Sequence, residues 1–296
     1  NLSLQRQFFG SYIASLAYVG SKGNHLFVGG ELNPGIYAPG GKPLDQRRPL
    51  YPTFATISDQ ASFGNSIYHS LQLSLNKRLS KGLTILANYT FAKLIDDSSG
   101  DGSVPSNPFS YRNQRGPGDF DIPHRFIGSY IWQLPKLERL HPLLRHVVGS
   151  WETNGLVTLE SGRPFSVSSG KDNSGSGINA DRADVTGDPR LDTGRPRAQL
   201  IDRYFNTAVF AQNPVGTFGT SGRNILRDAG TATVDFGMIK GFPIHERHRL
   251  QFRAEMFNLF NRVNLGRPNA NQSAGNFGRI TGAGSPRVIQ LALKYM

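Results

Sequence analysis

Cysteine is absent from this chain, which removes disulfides, thiolate metal sites and cysteine nucleophiles from consideration. Long apolar runs are missing too. Hydrophobic residues make up 38% of the sequence, mean hydropathy is −0.37, and nothing approaches the roughly 18 consecutive apolar residues of a membrane helix. An α-helical membrane protein is thereby excluded, whereas a membrane β-barrel is not, because barrel strands alternate and dilute their hydrophobicity. The sequence opens at Asn1 with neither a methionine nor the basic, apolar and small-residue regions of a signal peptide. Since a barrel must be exported, we expect a piece of a longer protein.

Acidic residues are in short supply, leaving a formal charge of +12. A basic chain invites a nucleic-acid reading, but Arg112, Arg115, Arg182, Arg190, Arg195, Arg197 and Arg223 are scattered through Gly/Pro/Asp-rich stretches. None sits in a run or in a stacking aromatic motif. Nucleic acid is not expected as a partner. Loops facing anionic lipopolysaccharide, or a polar lumen, account for the same charge.

What the chain has is alternation. From Ile67 to Ile95 it reads as one long hairpin: Ile67, His69, Leu71, Leu73 and Leu75 alternate with Tyr68, Ser70, Gln72, Ser74 and Asn76. After Arg78 to Gly82, the row Leu83, Ile85, Ala87, Tyr89 and Phe91 continues the pattern. Successive strand side chains point to opposite faces, so each half carries one apolar and one largely polar face. Soluble strands usually stop at about five or six residues, whereas a strand tilted across a bilayer needs roughly 9–11. The same spacing recurs at Leu2 to Gln7 and Tyr12 to Tyr18, and over His124 to Leu134, which Pro135 ends. It returns at Trp151 to Glu160, Val234 to Phe242, Leu250 to Met256 and Arg287 to Met296.

The connections between these segments alternate in length. Short turns fall near 8–11, 79–82 and 243–247, with a moderate link at 135–149 that could hold a helical turn. Long loops are expected over Gly20 to Gly64, with a strand end near Leu26 to Val28, and over Asp96 to Pro123, Ser161 to Gly230 and 260–285. The third should hold only short extended pieces near Phe165 to Val167 and Tyr204 to Phe210. Short turns on one side and long loops on the other mark bacterial outer-membrane barrels, with the short side periplasmic. The expected fold is all-β: an antiparallel meander of about nine strands forming part of a transmembrane outer-membrane barrel. Tyr68, Tyr89, Phe91, Tyr130, Trp132, Trp151, Phe242 and Tyr295 would form its aromatic girdles.

Tyr68-His69-Ser70-Leu71-Gln72, Lys77 to Leu83, Asn88-Tyr89-Thr90, Gly155 to Phe165, and Phe252 to Asn261 resemble the C-terminal barrel of TonB-dependent outer-membrane receptors of the Oar-like kind. The resemblance covers nearly the whole of residues 1–296. It implies a 22-stranded barrel with an N-terminal plug and a TonB-contacting segment, importing a scarce ligand with energy from the inner membrane. Neither plug nor TonB box is found here, so TonB would be contacted through a missing N-terminal region. The implied partners are outer-membrane lipid, lipopolysaccharide and an unknown extracellular ligand. In that family the last apolar row ends in a terminal phenylalanine, and the row Ile289, Leu291, Leu293, Tyr295 would next reach position 297. An aromatic residue is expected to follow Met296.

Chemistry is sparse, and no catalytic, cofactor-binding or metal site is assigned. His245-Glu246-Arg247-His248 is one residue short of HExxH and lies in a turn, which speaks against a metalloprotease. No G-x-S-x-G elbow exists, and His69, on the lipid-side row, reads as an interface residue. Asp172, Asn173, Asp181, Asp184 and Asp188 could offer oxygen ligands to calcium, yet their spacing fits Asx-turn chemistry better. An enzyme is not expected. A receptor-transporter comes first, and a surface module that binds a partner through its loops without transport is the alternative.

Overall fold

A computed structural model describes residues 1–100, 104–139, 141–245 and 248–296. Nine long strands form a single antiparallel meander in chain order: β1 (Leu2–Phe8), β2 (Tyr12–Glu31), β3 (Ser58–Ser80), β4 (Leu83–Asp96) and β5 (His124–Gln133) are followed by β6 (Glu152–Glu160), β7 (Thr231–His245), β8 (His248–Phe257) and β9 (Val288–Tyr295). A two-residue strand, Gly116–Pro117, adds to the loop end of β4. Among the described residues β1 and β9 each pair on one side only, so the sheet is not closed.

The organising hairpin has the register its alternation predicts: Ile67 faces Ile95, Leu71 faces Phe91 and Leu73 faces Tyr89. Its turn is the two residues Lys81 and Gly82, at φ +50° and +75°. Positive φ at both central positions matches the right-handed twist of the flanking strands, and glycine adopts it without steric cost.

Strand pairing stacks the alternation of neighbouring strands into continuous rows. One row runs Leu16, Leu73, Tyr89, Phe126, Leu159, Ala232 across six strands. The row beside it on the other face runs Gln5, Ser15, Ser74, Asn88, Ile127, Thr158, Thr233. Leu16, Leu71, Leu73, Leu159, Leu291 and Leu293 are all exposed. So large an unpartnered apolar surface belongs against lipid. Tyr130 shows how tightly that face is fitted: its ring lies over Gly155 on the next strand, where a Cβ would collide with it.

Charge enters the apolar face at its ends, with Lys22 and Lys93 at the loop end and Lys77 and Lys240 at the turn end. Lys77 continues the Leu71, Leu73, Leu75 row, and its Nζ donates to Ser80 O at 3.0 Å and Leu83 O at 2.6 Å, lying 5.8 Å from the Tyr12 ring. Lys240 likewise donates to Gly149 O and sits 5.6 Å from the Trp151 ring. Both lysines carry their charge to the rim while their stems stay in the apolar row. Tyrosine and histidine pair at the two ends of the wall: Tyr18 with His69 at 2.6 Å and Tyr89 with His124 at 2.8 Å at the loop end, and Tyr295 with His248 at the turn end. His69 lies in the apolar row, where its imidazole is taken up by Tyr18. Tyr68 is displaced from the expected girdle, because it pairs with Leu94 in the rows of the polar face.

Two expectations need correction. The loop read over Gly20 to Gly64 is confined to residues 32–57, because β2 continues to Glu31 and β3 begins at Ser58. Glycines and polar residues suggested a break, but the ladder holds them through backbone hydrogen bonds, with a register shift between Gly23 and Leu26. Val28, 2% exposed, packs where a side chain on Gly64 would otherwise sit. The 135–149 link holds the expected turn, α1 (Pro142–Val148), followed by Trp151, whose Nε1 donates to Val147 O at 2.9 Å. The second correction concerns residues 161–230, which fold into a lobe.

If the leucine rows face hydrocarbon, Leu73→Arg should cost about 2–4 kcal/mol near the midplane, and Ser74→Arg far less. Heat-modifiable migration of the full-length protein carrying each change measures the difference. Equal loss from the two substitutions would overturn the assignment of faces.

Candidate functional site

The lobe has its own core. Two short ladders, Pro164–Phe165 with Leu226–Arg227 and Asp184–Val185 with Phe210–Ala211, bring distant parts of the segment together. The short helix α2 (Arg197–Asp202) lies between them in sequence. Phe165, Val167, Ala183, Tyr204, Phe205, Phe210 and Leu226 pack with Ile280 from the last long loop. The Phe205 ring meets Phe277 edge-on at 5.2 Å and Phe210 at 5.7 Å. A local reading sees only polar, glycine-rich spacers here, since these apolar residues are tens of positions apart and follow neither a two- nor a 3.6-residue period.

Arginines clamp this lobe to the wall. Arg223 Nη1 donates to Asp96 Oδ1 at 2.5 Å, and its Nη2 donates to Ser99 Oγ at 2.7 Å and Asp119 Oδ1 at 3.3 Å. Asp96 ends β4 in the polar row of Asn88, Thr90 and Ala92, so the lobe is anchored on the polar face. Arg227 pairs with Asp121, whose Oδ1 also accepts from Leu94 N at 2.6 Å. Arg267 binds both oxygens of Asp228, at 3.0 and 3.2 Å. The first loop joins through Arg47, whose Nη1 donates to Gly175 O at 2.8 Å. Asn33, fully buried, donates to the carbonyls of Tyr51, Phe54 and Ala55 and ties that loop together.

The aspartates weighed for calcium accept hydrogen bonds from local turns and from distant parts of the lobe. Asp172 accepts from Ser176 N at 3.1 Å and Gly177 N at 2.9 Å, and Asp181 from Ser174 N at 2.6 Å and Asn213 Nδ2 at 3.1 Å. Asp184 accepts from Thr220 N and Asp188 from Arg190 N. Among the described residues no three metal-ligating side chains gather. The backbones of His245 and His248 pair at the ends of β7 and β8, while Glu246 and Arg247 of that motif lie outside the described residues.

Between the lobe and the loop ends of β2 and β4 lies a cavity of about 420 Å³, lined by Val28, Asp97, Ser106, Phe165, Arg182 and Asn224 among others. Arg182 is 5% exposed. Burial, with Arg223 nearby, lowers its pKa to about 10, so it remains cationic at neutral pH. A second, larger recess of about 780 Å³ opens at the rim, where Tyr89, Phe126 and Leu159 meet Arg195, Arg197 and Arg262. Burial and the charge of Asp228 raise the Tyr204 phenol there, against the opposing effect of Arg195. In the sequence these arginines read as scattered loop charge, and nothing local links Arg223 to a carboxylate more than a hundred positions away.

Removing one member of the buried Arg223–Asp96 pair strands the other. Arg223→Met should cost about 3–5 kcal/mol. It should accelerate proteolysis within 161–230 while leaving the wall's heat-modifiable migration intact. Unchanged cleavage would show that the pair does not hold the lobe.

Comparison with known proteins agrees with this architecture. No curated protein sequence matches the chain. Among solved structures, the outer membrane transporter YddB from Escherichia coli superposes with a TM-score of 0.54 at 12% identity, over 99% of this chain and 31% of that one. The chain therefore spans about a third of that transporter's length. P. aeruginosa FpvA, solved bound to heterologous pyoverdines, aligns at a TM-score of 0.45 and 11% identity, over 98% of this chain and 26% of that one. A family model described as outer membrane beta barrel domain matches residues 1–290. By that match the chain belongs to the outer membrane beta-barrel domain family and resides in the outer membrane.

Proposed function

We propose that residues 1–296 are the C-terminal barrel portion of a TonB-dependent receptor of the Oar-like kind, which takes up a scarce ligand across the outer membrane. The observation that carries the reading is the folded lobe, clamped by Arg223 to Asp96 on the polar face and bounding a cavity at the outer end. A passive pore needs only a hydrated lumen, and an adhesin needs only an exposed loop surface. An ordered lobe packed on the polar face and bounding a recess of small-molecule size suits capture of a small ligand on its way inward. On this reading the wall contacts lipid. Arg195, Arg197 and Arg262, beside Tyr89 and Phe126 at the rim, face the phosphates of lipopolysaccharide.

The energy requirement separates this reading from adhesion. Depletion of compounds from the medium is compared in the parent strain, a strain lacking this gene and a strain lacking TonB. At least one compound should be depleted by the parent and spared by both mutants. Identical depletion in all three, with loss of surface attachment in the gene deletion, would replace uptake by adhesion.

A further inference from the structure

The cavity beneath the lobe contains a charge that its neighbours leave unbalanced. Three arginines line it, and two are matched: Arg223 is held by Asp96 and Asp119, and Arg267 by Asp228. Of the carboxylates in the lining, Asp119 is shared by Arg223 and Asn224, and Asp97 pairs with Arg115 at 3.4 Å. Arg182 has no carboxylate partner among the described residues. Its Nε donates to Ser106 Oγ at 3.1 Å, whereas its Nη1 is buried and unpartnered. A buried donor on a charged group is costly to leave unmade, and this one belongs to a side chain that lines an open space.

Ser106 adds to the point. Its oxygen accepts from both Arg182 Nε and Gln114 Nε2, the latter at 3.2 Å, so its own hydroxyl proton is available to a further acceptor. Arg182 and Ser106, joined through Nε at 3.1 Å, thus both line the cavity, the guanidinium without a carboxylate and the hydroxyl with its proton free. Phe165 and Val28 supply an apolar flank, and the volume of about 420 Å³ is that of a small-molecule site. The backbone holds Arg182 firmly, through a bridge to Ser168 on one side and close approach of Gly219 on the other.

We propose that Arg182 and Ser106 anchor the carboxylate of a small organic acid in this cavity. Guanidinium and carboxylate form strong charge-assisted hydrogen bonds. With Asp97 matched by Arg115 and Asp119 by Arg223, Arg182 leaves a single positive charge to neutralise, so the site suits a monoanion better than a phosphate dianion. The proposal deepens the receptor reading and rests on it for the cavity's access to the cell exterior.

The test uses full-length protein purified in detergent, with acetate, gluconate and benzoate as probes, benzamide as the neutral control and inorganic phosphate as the dianion, followed by ligand-observed saturation-transfer NMR. At least one carboxylate should bind, competing with the others, and benzamide should not. R182M should weaken that binding at least about tenfold, and R182K less. If R182M fails to assemble by heat-modifiable migration, S106A serves in its place, with a several-fold loss expected. Equal binding by the wild type and the assembled variant would overturn the proposal. So would stronger binding of phosphate than of any carboxylate, or no carboxylate bound at all, which would make the cavity a water pocket. Binding is measured without TonB, so its failure is distinct from a failure of TonB-dependent uptake.

Discussion

Hydrocarbon offers a peptide group no hydrogen-bond partner, and the remaining features of the wall follow from that. Each N–H and C=O within the bilayer must be satisfied by a neighbouring strand, so the chain runs as an antiparallel meander in which every strand between β1 and β9 is paired on both sides. Once the ladder is fixed, side chains have only two directions to take. The row through Leu73 and Tyr89 meets lipid, and the row through Ser74 and Asn88 meets water. Ionic groups at the lipid rim are then held where carbonyls and aromatic rings can receive them, as Lys77 is by Leu83 O and Tyr12, and Lys240 by Gly149 O and Trp151.

Outside the bilayer the constraint is relaxed and a different economy applies. The lobe must hold its shape with few apolar residues, and it does so by gathering them into one cluster around Phe205 and by locking the periphery with arginine–carboxylate contacts. Buried ion pairs add little net stability compared with apolar packing, but they are sensitive to geometry, because each partner left alone is costly. That sensitivity is useful where loops from four places in the chain must converge. Arg223 reaches Asp96, Ser99 and Asp119 only if the lobe and two other segments are in register. Against this background of matched charge, the unmatched Nη1 of Arg182 stands apart.

How much of this was legible in the sequence depends on the range of the interactions. The Ile67 to Ile95 hairpin and the Val234 to Met256 hairpin could be read because each partner lies a short turn away and alternation declares its face. The extensions of β2 to Glu31 and β3 back to Ser58 were not, because strand propensity reflects packing of side chains, and Gly29, Gly30 and Ser62 have little to pack. The lobe's core was illegible for another reason. Phe165 and Phe205 touch across 40 positions of polar, glycine-rich chain, and no periodicity relates them. Arg182 and Arg223 were visible only as loop charge, since their partners are set by the folded topology.

The same division explains how a wall can be shared at 12% identity. An alternating strand specifies a class of residue at each position, apolar outward and small or polar inward, and many sequences satisfy that specification equally well. Leu73 could be isoleucine or phenylalanine without altering a single backbone hydrogen bond. Nothing comparable holds for Arg182, whose planar fork, buried at 5% exposure and held to Ser106, no other side chain reproduces. A barrel of this kind therefore keeps its fold through degenerate pattern and takes its individuality from the few loop residues whose geometry is not degenerate. On the receptor reading proposed above, ligand choice is to be sought among those residues, and the strands supply the frame on which they are held.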